Sequence, residues 1–269
     1  MLVNSLERIG GCDYNQPMPS AETPAHATLK KLALHWAQLQ RYPICGIEVR
    51  LPHSNYRADA VAYRPATERL PLPGNGKAPH RLVRQPVVGT TAVFECKQAR
   101  SYFLKDSHTT AETTQRLKVL EERRRTLERL LGMHQPSLRK GESLFAEYDA
   151  IDISNFEHKT YHKVIREISI LQARLYGKTK FDQVARYCCA NLCYLVVEDG
   201  ILKCHEVPLH WGLLVRQGEA LTLEKPPVWQ DVPVPTRLEL LQRLAHIATR
   251  RLNRISGQSD EHSVDKLPA

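Results

Sequence analysis

The order in which hydrophobic periods follow one another limits this fold more than any other feature. A helical period comes first, then three period-2 segments, a long heptad-like stretch, further strands and a last helix. Thr23 can cap the first helix and Pro24 suits its first position. Leu29, Leu32, Trp36 and Leu39 then recur at 3, 4 and 3 residues, before Pro43 ends the run. The segments Ile44–Leu51, Tyr56–Tyr63 and Val87–Gln98 read as strands. The proline- and glycine-broken stretch between the last two reads as a long surface loop.

From about Thr110 to Leu131 the leucines 117, 120, 127 and 131 mark a helix whose seam is interrupted by Arg124, and Tyr161, Val164, Ile168, Leu171 and Leu175 mark a second. Two such stretches predict an antiparallel helical hairpin inserted in an α/β domain. Phe181–Asn191 reads as helix, and Leu192–Val197, Ile201–Val207 and Leu213–Val215 as strands, with Asp199 and Gly200 turning between the first two. A final amphipathic helix is expected over Thr236–Ile255. The predicted organisation is an arm at 1–22, a core formed by 23–109 and 177–230, an insertion at 110–176, and a C-terminal helix and tail at 231–269.

The net charge of +9 favours a polyanionic partner without proving one. No apolar run approaches the roughly 18–20 residues that span a bilayer, and no secretory leader is evident. The seven cysteines form no CxxC pair, so reduced thiols and a soluble, cytoplasmic protein without membrane association are expected. Cys188, Cys189 and Cys193 with Cys204 and His205 lack the paired knuckles of a structural zinc site.

The chemistry concentrates in RADAVAY and AVFECKQ. Strand alternation places Glu95 and Lys97 on one face while Phe94 and Cys96 turn to the other. An apolar strand has no packing reason to end in two opposite charges on one side. With Asp59 they form a set suited to phosphodiester hydrolysis: two carboxylates for a hard Mg²⁺ (or Mn²⁺), and an amine to orient a water and offset charge at phosphorus. Taken alone, an ExK pattern is more often a solvated edge strand.

The element order, with Asp59 on the second strand and ExK on the third, resembles the PD-(D/E)xK nuclease superfamily over about residues 23–60 and 87–215. RADAVAY, FECKQARSYFLKD and CANLCYLVVEDG are similar to its MmcB-like DNA repair branch, and HATLKK to CoiA-like competence proteins. The resemblance implies a restriction-endonuclease-like mixed sheet flanked by helices. It also implies a metal held by Asp59, Glu95 and the main chain of Cys96, and a water assisted by Lys97. Ala58 stands where the family has Pro, and the 36-residue step from Asp59 to Glu95 is long. Gln183 and Tyr187 resemble the Q-x₃-Y motif of RecB-like nucleases and are added to the catalytic set.

Glu48, Glu22 and His26 are candidate extra ligands, with N-terminal capping preferred for His26. Arg81 and Arg84 in the loop, Arg124 in the hairpin, and Arg243, Arg250 and Arg251 in the last helix are candidate phosphate contacts, DNA being preferred to RNA. Trp211 and Trp229 are expected in the core. Two competing readings remain. One is a nucleic-acid-binding module of the same fold with a silent or partner-dependent site. The other is an assembly protein that dimerises or docks a partner through the hairpin.

Overall fold

The structure, a computed structural model, describes residues 22–54, 56–71, 82–100, 111–140, 150–153, 156–176 and 189–257. It is a mixed α/β fold. The helices are α1 (Pro24–Leu39), α2 (Ala111–His134), α3 (Lys159–Tyr176) and α4 (Val234–Ile255). A six-stranded sheet has the order β1-β2-β3-β6-β7-β8, with β1 Ile44–Arg50, β2 Arg57–Pro71, β3 Leu82–Lys97, β6 Leu192–Glu198, β7 Trp211–Gln217 and β8 Ala220–Lys225. The short β4 (Arg139–Lys140) and β5 (Ala150–Ile151) pair separately. Strands β1, β2 and β3 are antiparallel neighbours, β3, β6 and β7 run parallel, and β8 returns antiparallel.

Helices cover both faces. On one, Leu29, Ala33, Trp36 and Ala37 of α1 pack on Ala60, Ala62, Ala92 and Phe94. The row of alanines on β2 and β3 lets the helix sit close. Trp36 meets Phe94 and Tyr194 edge-on, and those two rings stack at 5.1 Å. On the other face, Leu240 and Leu244 of α4 cover Val49, Val61, Val93, Leu195 and Val215. The central β6 is buried on both sides, which explains its unbroken apolar run. Thr23 Oγ1 accepts from the His26 amide, so the expected cap and the proline start of α1 are both present.

Several expectations are corrected. The stretch read as a long surface loop is strand on both sides: β2 continues to Pro71 and β3 begins at Leu82, pairing from Ala66/Val87 to Pro71/Leu82. The prolines are tolerated because this part has only two strands among the described residues, and Pro65 falls at a bulge where Val88 and Gly89 oppose one residue. Ile201–Val207 is not a strand. Residues after Gly200 cross to a parallel β7 through a 3₁₀ turn at Cys204–Glu206, so Asp199 and Gly200 do not close a hairpin. The β7–β8 hairpin, turning at Gly218 with φ 63°, was not anticipated. In the expected helix at Phe181–Asn191, residues 181–188 lie outside the described residues, and 189–191 are not helical.

The insertion is an antiparallel pair, since Arg116 reaches Glu167 while Glu128, further along α2, accepts from the hydroxyl of Tyr161 near the start of α3. It is fastened to the core. Leu117, Leu120, Val164 and Ile168 pack with Leu209, and Gln172 bonds both the Val207 carbonyl and the Leu209 amide. Among the described residues no helix is long and apolar enough to cross a membrane.

Candidate active site at the end of the third strand

Pairing between β2 and β3 stops at Ala60 and Phe94, while β3 stays paired to β6 through Lys97. The strands part at this fork, and Asp59 and Glu95 are the next residue on each arm. The Cys96 amide donates to Asp59 Oδ2 at 2.7 Å, so a side chain takes the place of the missing ladder partner. His26 Nε2 lies 3.2 Å from Asp59 Oδ1. Lys97 Nζ contacts Glu95 Oε1 at 2.7 Å, as expected for neighbours on one strand face.

A local twist turns Asp59 toward α1. In β1, Cys45 and Ile47 pack on the α1 side but Val49 on the α4 side, and in β2 Ala60 faces α1 while Ala58 faces α4. The face switches at Glu48, whose φ of 57° is in the left-handed region, and at Asp59. Both fall between the register pairs Ile47/Ala60 and Val49/Ala58.

The site is enclosed but not sealed. The side chains of Asp59 and Glu95 are 14% and 5% exposed, against 21% for His26 and 20% for Lys97. Burial pushes the Asp59 pKa up and the nearby charge of Glu95 pushes it further; the Cys96 amide, His26 and Lys97 counteract this. The Cys96 thiol lies in the core and is raised well above its usual range by burial, then by Asp59 and Glu95, which removes it as a nucleophile.

Two largely buried carboxylates in mutual repulsion form an environment that a cation would relieve. Among the described residues no group of three or more His, Cys, Asp or Glu side chains is gathered to hold a metal. A cation here would therefore take two carboxylates with main-chain and water oxygens, a donor set suited to Mg²⁺. That set fits the ion expected from the sequence.

Of the other candidates, Glu48 is engaged elsewhere: Lys30, 3% exposed, is held by Glu22 and Glu48, and Arg57 approaches Glu48 at 3.6 Å. Burial opposes the Lys30 charge, but these bonds outweigh it and raise its pKa. Glu22 and Glu48 thus neutralise a buried lysine and do not complete a three-carboxylate cluster. His26 reverses the expectation. Thr23 supplies the cap, and the imidazole enters the site. Its position three residues beyond the cap was the only signal.

Gln183, Tyr187 and Arg81 lie outside the described residues. Arg84 is exposed on β3, Arg251 is exposed on α4 and Arg250 half-buried there. Arg243 donates to the Arg50 carbonyl and to Glu239. Arg124 is corrected outright. It is fully buried, paired to Glu121 at 2.7 Å and Glu128 at 3.1 Å, and cannot meet a phosphate. Trp211 is in the core on the α4 side, and Trp229 packs half-buried against the core on the α1 side, as expected.

Compared with known proteins, the chain matches no family model and no curated protein. A solved structure of a protein of unknown function from Silicibacter pomeroyi is similar at 12% identity and a TM-score of 0.44, covering 91% of this chain and 99% of that one. A likeness at that level carries no argument.

Proposed function

We propose that the protein is a metal-dependent nuclease of the PD-(D/E)xK type, with a restriction-endonuclease-like core, acting on DNA. One observation carries the reading: Asp59 and Glu95 are the first residues past the point where β2 and β3 part, near enough for the charge of Glu95 to raise the Asp59 pKa, with Lys97 in contact with Glu95. The antiparallel β1-β2-β3 meander followed by a parallel β6 supports it, as does the basic balance of the chain.

Asp59, Glu95 and the Cys96 carbonyl would hold Mg²⁺ or Mn²⁺, which when bound polarises the phosphate and lowers the pKa of a coordinated water. The Cys96 amide and His26 fix the orientation of the Asp59 carboxylate. Lys97, the partly exposed cation of the set, orients the attacking water and offsets charge at phosphorus. The test is incubation with single-stranded, double-stranded and branched DNA and with RNA, with and without Mg²⁺. Cleavage that needs the metal and is lost in both Asp59→Asn and Lys97→Ala is expected; undiminished cutting by either variant refutes the assignment.

A silent nucleic-acid-binding module is the second reading, favoured by the Lys97–Glu95 pair already neutralising one carboxylate. Binding of DNA without cleavage in Mg²⁺ or Mn²⁺ would select it.

A further inference from the structure

The region where β2 and β3 run beyond their neighbours has no role in the site just described. β1 pairs with β2 only as far as Tyr63, and β6 pairs with β3 only from Ala92. From Ala66/Val87 to Pro71/Leu82 the two strands therefore form a ribbon with no third strand beside it among the described residues.

Its base is fixed. A Cβ added at Gly89 would come within 1.9 Å of the Arg64 carbonyl oxygen, so only glycine allows the strands to approach this closely at the bulge. The Gly89 amide donates to the Tyr63 hydroxyl at 2.8 Å, and Arg237 of α4 donates to the carbonyls of Val88 and Gly89, both at 2.8 Å. The Arg64 guanidinium lies 5.0 Å from the centroid of the Tyr42 ring. The ribbon is thereby aimed by the core.

On this ribbon Arg69 stands directly opposite Arg84, and both are exposed. Like charges facing each other across strands are destabilising. Among the described residues neither arginine is ion-paired to a carboxylate. Glu68 alternates to the other face of the ribbon, and the sequence contains no further acidic residue until Glu95. The fold gains nothing from this pair, whereas a polyanion would relieve it.

We infer that the β2–β3 ribbon is a duplex-DNA contact in which Arg69 and Arg84 bind backbone phosphates. The choice of DNA as the polyanion rests on the nuclease reading. The geometry suits it: a two-stranded ribbon is narrow enough to enter a groove, and opposed side chains leave from Cβ atoms about 5 Å apart, within reach of neighbouring phosphates. A fixed base lowers the ordering cost of binding.

The test is fluorescence anisotropy of the full chain with a duplex of about 20 base pairs, in EDTA, across a salt series. The Arg69→Gln/Arg84→Gln double variant should weaken binding and make the slope of log affinity against log salt shallower by about 1.8, that is, about 0.9 for each phosphate no longer neutralised. The Arg69→Lys/Arg84→Lys variant should keep the wild-type slope. Matched thermal melts guard against a folding defect. An unchanged slope in the glutamine variant overturns the inference, as does a wild-type chain that binds anionic vesicles but no duplex, or binds neither. Because EDTA removes cleavage from the measurement, an unchanged slope alongside intact Mg²⁺-dependent cutting would defeat the ribbon alone. Failure of cleavage with the slope change present would defeat the nuclease alone.

Discussion

Two clusters of acids and bases in this molecule use similar residues to opposite ends. At the hairpin dock, Glu121, Arg124, Glu128, the Tyr161 hydroxyl and Lys225 form a chain of contacts between 2.7 and 3.3 Å, with Arg124 and Lys225 fully buried. Burial opposes the ionised Glu121, but Lys225 and Arg124 outweigh it and hold its pKa low. Arg124 is raised against burial by Glu128 and Glu121. At the strand fork, burial and Glu95 act together to raise Asp59, and the cation in contact is partly open to solvent. The first cluster balances its own charge. The second sets two largely buried carboxylates against one contacting lysine, and on the nuclease reading a bound cation would relieve that excess of negative charge.

The contrast can be broken most forcefully at the dock. Arg124→Met leaves Glu121 and Glu128 buried without their shared partner and should cost about 3–5 kcal/mol in a urea melt. Next comes the fork, where Lys97→Ala should lower Mg²⁺-dependent cleavage about a hundred- to a thousandfold while costing less stability than the dock variant, because the lysine it removes is partly exposed. Asp59→Asn, expected to abolish cleavage on the nuclease reading, should melt no lower than wild type at neutral pH because it removes a repelled carboxylate; a large loss of stability would mean that this cluster too is structural.

The smallest effect sharpens the comparison. Burial lowers the Lys225 pKa to about 8 from 10.5 despite Glu121. Between those values the unfolded chain holds a proton that the folded chain has released. This residue therefore makes stability rise with pH across that window, and below it the burial penalty stands in full. Lys225→Met should flatten the rise, seen by comparing urea midpoints of the two proteins at about pH 7 and about pH 10.

The parts of this design visible in the sequence are those with a local cause. Thr23 and Pro24 announce α1, and the alternation through Phe94, Glu95, Cys96 and Lys97 correctly puts the acid and the amine on one side. What stayed hidden depends on partners distant along the chain. Arg124 reads as a break in an apolar seam because Glu121 and Glu128, a turn to either side on its own helix, look like solvated carboxylates until β8 brings Lys225 against Glu121. His26 reads as a capping residue until β2 brings Asp59 beside it, 33 residues on. Prolines 65, 71 and 86 argue for a loop by local rules, and the ribbon survives them because, among the described residues, its two strands pair only with each other there. The strand expected at Ile201–Val207 failed for the converse reason: a good local pattern was overruled by a crossover that needs a parallel β7.

The left-handed turn of the backbone at Glu48 has an effect outside the site. Among the described residues β1 is an outer strand of the sheet, and an uninterrupted outer strand offers its amides and carbonyls to any extended peptide, including another copy of itself. Here such a visitor would encounter a kink and a carboxylate midway along the strand. The residue that helps neutralise Lys30 thereby also interrupts the edge along which another strand would add side by side.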